Sequence, residues 1–184
     1  LVLAIPLLPT RMALAATVGV NTHQPAPDVL DAAKDLGVGW IRIDLNWFQV
    51  EPSKGAYNWA LIDGIVDGAR RRGLQVFPTL GYAPSWASEP DRDGIATNNV
   101  PKAGEYGRFC QAVAARYAGK ITHFGLWNEP NLSGFFEGTM GQWIDRVVLE
   151  GTRGIKAGCP SCKVLGPELA TVGKEYANYL DAAL

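Results

Sequence analysis

The segment ITHFGLWNEPNLSGFF, residues 121–136, ends an apolar run in an amide, a carboxylate and a proline: Asn128, Glu129 and Pro130. A proline disfavours helix in the residue before it, so Glu129 is expected in extended geometry where a strand gives way to a loop. Among Trp127, Phe135 and Phe136, a carboxyl there is partly desolvated. Desolvation raises its pKa and favours a general acid. Asn128 offers both a donor and an acceptor, which suits a sugar hydroxyl. Asn and Pro are also turn formers, so N-E-P-N read alone fits a plain turn equally well.

The elements that must position these residues follow a repeating order. Strand patterns cover 17–23, 38–47, 74–82, 121–127 and 162–168, and helical patterns cover 27–37, 58–73, 104–120 and 141–158; KEYANYLDAAL begins another helix. Apolar stripes place Val29, Leu30, Ala33 and Leu36 on one face of the first helix. Tyr106, Phe109, Val113 and Tyr117 share a stripe of the third, and Ile144, Val147, Val148, Gly151 and Ile155 one of the fourth. This α/β alternation predicts a parallel sheet with helices outside. An open doubly wound sheet and a (β/α)8 barrel compete. No G-x-G-x-x-G follows the first strand, which weakens the nucleotide-binding form of the open sheet. Trp47, Tyr82, Trp86, Asn128 and Glu129 all follow the C-terminal ends of strands, where a barrel places its active site. A barrel takes about 250 residues and eight units, whereas 184 residues hold five units, the last cut short.

Trp127-Asn128-Glu129-Pro130-Asn131 resembles the strand-four motif of the clan A glycoside hydrolases. Leu36 to Asp44 resembles the second strand of that family and its lead-in, and Trp47, Glu51-Pro52, Gly55, Tyr57 and Trp59 resemble the loop that follows. Tyr82 to Ser88 is similar to the loop after strand three, and Lys163 to Pro167 to strand five. The likeness covers about residues 18 to 184 and is nearest to family 39 and family 5-like members. It implies a retaining hydrolase on a (β/α)8 TIM barrel, of which about the first five β/α units are present. By this resemblance Glu129 matches the acid/base residue, Asn128 the residue that holds the sugar 2-hydroxyl, and Arg42 a site arginine near the nucleophile. A structural salt bridge inside the barrel is the alternative role for Arg42.

A retaining mechanism needs two carboxyl groups about 5–5.5 Å apart. In the family the second is a glutamate at the end of strand seven, so the nucleophile is expected beyond residue 184. Glu168 follows strand five and is expected to be a supporting or subsite residue, or simply solvated. Glu51, Glu89 and Glu137 lie in loops without motif support as nucleophiles. His23 and Asp44 end strands and are candidates to face a sugar; Asp44 could equally pair with Arg42. Tyr82 and Trp86 are candidates to stack on sugar rings through their flat faces. Trp40, Trp59 and Trp143 are expected in packing.

Composition narrows the rest. The net charge is −1 with no basic block, which points away from nucleic acid. LVLAIPLLP followed by Ala13-Leu14-Ala15 reads as the end of a secretory signal peptide over 1–16, leaving 17–184 as the barrel portion. That run is too short to span a bilayer, which takes about 20 apolar residues. A secreted or periplasmic location is expected, and there a local disulfide between Cys159 and Cys162 is reasonable. Cys110 is expected to be buried. No metal or organic cofactor is implied, and the expected partner is a carbohydrate substrate. The other reading is a non-catalytic carbohydrate-binding or vestigial barrel protein.

Overall fold

The computed structural model describes residues 18–170 together with 178, 179 and 181. The expected signal segment over 1–16 lies outside the described residues, as does nearly all of the helix expected after residue 174. Five parallel strands stand in sequence order: β1 (Gly19–His23), β2 (Trp40–Asn46), β3 (Gln75–Gly81), β4 (His123–Leu126) and β5 (Lys163–Val164). Helices α1 (Pro27–Asp35), α3 (Ala60–Arg71) and α4 (Glu105–Arg116) connect them, after a single turn α2 (Trp47–Val50) that follows β2. Between β4 and β5 runs α5 (Met140–Trp143), a π-helical stretch Ile144–Leu149 and α6 (Glu150–Gly158). Among the described residues the sheet is open, with β1 and β5 at its edges, so this is part of a barrel wall.

Alternation along β2 explains how one strand serves both faces. Ile41, Ile43 and Leu45 are fully buried beneath the helices. Trp40, Arg42, Asp44 and Asn46 are half-buried and point the other way. Register then builds the concave face: Arg42 stands beside Phe77, and Asp44 beside Thr79, which in turn lies beside Gly125. Each fully buried Ile or Leu on the outer face contributes about 1.5–3 kcal/mol. That apolar layer fixes the polar residues on the inner face.

Several expectations need correction. Leu36 is 73% and Val29 40% exposed. The first helix ends at Asp35 and packs through Leu30 and Ala33 alone, leaving its flanks to solvent. The helix expected over 141–158 is interrupted by a π-helical turn. It opens at Thr139, whose hydroxyl accepts from the Gln142 backbone while the Gln142 side chain accepts from the Thr139 N–H. The fifth strand shrinks to two residues, because Pro167 lacks a ladder donor and Gly166 precedes it. Cys159 and Cys162 form the expected disulfide, and Cys110 is buried and free.

The α4 and α6 helices meet closely at glycines. A Cβ at Gly154 would stand 2.1 Å from the Gly107 carbonyl oxygen, and one at Gly158 2.3 Å from that of Gln111. In an open helix Gly→Ala stabilises by about 1 kcal/mol. Here the methyl meets rigid backbone, so Gly154→Ala is expected to destabilise by about 1–3 kcal/mol. Urea unfolding measures the sign directly.

Candidate active site

The strand-four motif divides its labour residue by residue. Trp127 is fully buried, meets Tyr82, Tyr106 and Phe136 edge-on, and donates its ring N–H to the Phe135 carbonyl at 2.7 Å. Its backbone N–H donates to Leu80 O at 2.8 Å, which extends the β3–β4 pairing to the rim. Pro130 is buried. Asn131 accepts from Ala170 N at 3.0 Å and donates to Ala170 O at 2.9 Å, tying the motif to the segment after β5. The remaining two residues, Asn128 and Glu129, are half-buried at the rim.

Glu129 is not extended as its proline neighbour led one to expect. Its φ is 46°, and that of Trp127 is 65°. Proline bars the right-handed helical region for the preceding residue but leaves the left-handed one to tertiary contacts. The Glu129 N–H donates to Glu168 O at 2.7 Å, and its carbonyl accepts from Leu132 N at 3.0 Å. Those bonds hold a conformation that is uncommon for side-chain-bearing residues. His23, at the end of β1, has φ 55° as well. All three non-glycine residues of positive φ among those described lie at C-terminal strand ends, where strain is commonly stored for function. Among the described residues nothing hydrogen-bonds the Glu129 carboxylate.

Arg42 is the hub of the concave face. Its Nε donates to Glu168 Oε2 at 2.6 Å, its Nη2 to Asn128 Oδ1 at 2.7 Å, and its Nη1 to Asp44 Oδ1 at 3.4 Å. Asp44 Oδ2 lies 2.8 Å from His23 Nδ1. The structural pairing foreseen for Arg42 and Asp44 is therefore present. With Oδ1 engaged, Asn128 keeps its amide donors, and that amide also lies against the Tyr82 hydroxyl. Burial lifts the Tyr82 pKa, opposed by the Asn128 contact, so the phenol stays protonated at neutral pH.

Glu168 is not a solvated carboxylate. Its side chain is 17% exposed and fits into space left by Gly125, where an added Cβ would fall 1.9 Å from Oε1. The Thr79 hydroxyl lies 2.8–2.9 Å from both of its oxygens. Sequence reading missed Thr79 and Gly125; the signal was there in their inward places in the period-two alternation of β3 and β4. Trp86 stands in the packing of the loop after β2. Its ring N–H donates to Glu51 O at 3.1 Å, and Arg108 lies over the ring, 5.6 Å from its centroid. Glu51 itself is fully buried, accepting from Trp47 Nε1, Gly55 N and Arg108 Nη2 at 2.7–2.8 Å. The W…EP…G.Y.W pattern thus builds a loop around one buried carboxylate and its arginine partner.

Comparisons with known proteins agree with this fold. No protein-family model matches the sequence. Endo-1,4-beta-xylanase 1 of Gibberella zeae is 29% identical over 89 residues, 46% of this chain and 24% of the xylanase. A family 39 glycoside hydrolase from Bacteroides cellulosilyticus WH2 superposes with a TM-score of 0.63 at 23% identity, over 80% of this chain and 30% of its own. A monomeric beta-xylosidase from Caulobacter crescentus CB15 gives 0.71 at 22% identity, over 90% of this chain and 38% of its own. The structural neighbours are clan A glycosidases, and the chain carries five β/α units of their barrel fold. It spans 24% of the curated relative's length and 38% or less of these two structures.

Burial raises the Glu168 pKa above its ordinary 4.5, opposed by Arg42 and Thr79. A carboxyl with a raised folded-state pKa contributes stability that is fully present below 4.5 and lost as pH rises through the folded value. Glu168→Gln removes that dependence. Urea unfolding across pH is expected to show the wild type losing stability relative to the variant as pH climbs from 4.5. A difference that stays flat over that window contradicts the assignment.

Proposed function

We propose that this chain is the N-terminal part of a retaining glycoside hydrolase acting on β-linked oligo- or polysaccharides, with Glu129 as acid/base. The observation that carries it is the Asn128–Glu129 pair at the C-terminal end of β4. Asn128 is held by Arg42 and Tyr82, while the carboxylate beside it accepts no hydrogen bond from the described residues. The names of the relatives, a xylanase and a beta-xylosidase, make xylan-type substrates the first to try.

In the proposed reaction, a carboxylate attacks the anomeric carbon while Glu129 gives its proton to the departing glycosidic oxygen. Glu129 then takes a proton from water, which hydrolyses the glycosyl-enzyme. Asn128 donates to the sugar 2-hydroxyl through an amide hydrogen, since its oxygen is committed to Arg42. The attacking carboxylate lies beyond residue 184. Glu168 is engaged by Arg42 and Thr79 and acts as a support. Arg42 and Asp44 shape the sugar-facing floor, and Tyr82, with His23 further out, lines the approach. The disulfide at Cys159 and Cys162 suits an oxidising, extracytoplasmic compartment. No helix among the described residues is long and apolar enough to cross a membrane.

The test is Glu129→Gln in the full-length protein, assayed on xylo-oligosaccharides and on aryl glycosides with good leaving groups. General acid catalysis contributes about 10²–10⁴-fold. The variant is expected to lose that much on natural glycosides and to keep most of the glycosylation rate on activated ones. Undiminished turnover of natural glycosides sinks the assignment. Sugar binding with no turnover by the full-length wild type favours a binding protein instead.

A further inference from the structure

The loop after β3 is closed at its base by a bridge between Ser88 and Pro101, with Glu89 N donating to Val100 O at 2.8 Å. Its tip, Asp91-Arg92-Asp93-Gly94, is wound by its own carboxylates. Asp91 Oδ1 accepts from Asp93 N at 3.1 Å and Gly94 N at 2.8 Å, and Asp93 Oδ1 from Ile95 N at 2.8 Å. The loop after β4 crosses this one. Glu137 N donates to Asn98 O at 2.9 Å, and Asn98 Nδ2 to Ser133 O at 3.0 Å. The crossing brings one oxygen each of Asp91, Asp93 and Glu137 within 4.8 Å of one another.

Two buried oxygens at this crossing have no partner. Asn98 is 1% exposed, and its amide lies against Asp93, to whose Oδ2 it donates at 2.9 Å; its Oδ1 accepts nothing. Glu137 Oε2 is likewise buried without a donor. Its other oxygen accepts from Arg92 Nε at 3.0 Å, and Arg92 Nη2 also reaches Glu137 O at 3.5 Å, from a side chain that is 59% exposed. Buried carbonyl and carboxylate oxygens lacking donors, set among aspartates, call for a cation. Calcium takes six to eight oxygens at about 2.3–2.6 Å, so oxygens across the ion stand about 4.6–5.2 Å apart. The three carboxylate oxygens lie within 4.8 Å of one another, close enough to share one such ion. Magnesium demands near-ideal octahedral geometry and dehydrates reluctantly, so a set of protein oxygens drawn from two loops suits calcium better.

We propose that Asp91, Asp93, Glu137 and Asn98 Oδ1 form a calcium site that clamps the loop after β3 to the loop after β4. The second of these loops begins at Asn128, so the ion braces the rim that carries the candidate acid/base pair. The site does not depend on the glycosidase reading and fails or stands separately from it.

The test is a calcium titration of chelator-stripped protein by calorimetry and thermal unfolding, with magnesium in parallel. Calcium is expected to bind with a dissociation constant of about 10⁻⁴–10⁻³ M and to raise the unfolding midpoint by about 4 °C at saturation. Asp93→Asn is expected to weaken binding at least about tenfold, and magnesium to bind more weakly than calcium. Arg92→Ala, which removes the cation competing for Glu137, is expected to tighten calcium several-fold and covers the case in which Asp93→Asn does not fold. Overturning results are no heat and no midpoint shift in the wild type, calcium affinity unchanged in these variants, or magnesium binding as tightly as calcium.

Discussion

A guanidinium inside a sheet is costly to desolvate, and Arg42 stays on the concave face because every side of it is met. Glu168 takes Nε, Asn128 takes one terminal nitrogen, and Asp44 approaches the other. Removing one partner from such a group typically costs about 3–5 kcal/mol, since an unpaired buried charge remains. These residues therefore constrain one another. Glu168 fits because Gly125 has no side chain, and its backbone carbonyl in turn receives the Glu129 N–H. The position of the candidate acid/base residue is thereby linked to an ion pair formed with β2.

Two charge systems divide the work of the loops. On the concave face the Arg42 group faces the space where a ligand would lie. Behind the loop after β2, the buried Glu51 carboxylate pairs with the half-buried Arg108, with Tyr57 accepting from Arg108 at 2.6 Å and Trp86 packed across it. The aromatic pattern that stands out in the sequence mostly serves this second system. Trp47 lies stacked on Phe109 with ring centroids 4.9 Å apart, and Tyr57 on Trp59 at the same separation. An abundance of tryptophan here shapes a loop as much as it offers a surface to sugars.

Local strain is concentrated where the two systems meet the rim. Positive φ at His23, Trp127 and Glu129 persists because neighbouring bonds over-determine it: Trp127 is anchored through both its ring and its backbone, and Asn131 is locked to Ala170. Such residues hold side chains at angles a regular strand does not reach. That property suits a group that must meet a substrate while its backbone stays fixed.

The alternation of strands and helices, the parallel sheet and the places of Asn128 and Glu129 after β4 were legible in the sequence. Each rests on local periodicity or on residue types clustered at strand ends; Arg42, expected at the end of the second strand, stands within β2 instead. The burial of Tyr106, Phe109, Val113 and Tyr117 on one stripe was readable for the same reason. Leu36 and Val29 were misplaced because a stripe shows which side of a helix is apolar, not how far its neighbour reaches. The partners of Arg42 come from β4 and from the end of β5, up to 126 residues away, and no local pattern pairs them. Whether Glu168 is solvated or buried, whether Glu129 is extended or left-handed, and which oxygen of Asn128 is already engaged were settled by strand register and by the space at Gly125. Sequence determined which groups are available; tertiary packing decided which of them are spoken for, because desolvation and pairing depend on neighbours that only the folded sheet brings together.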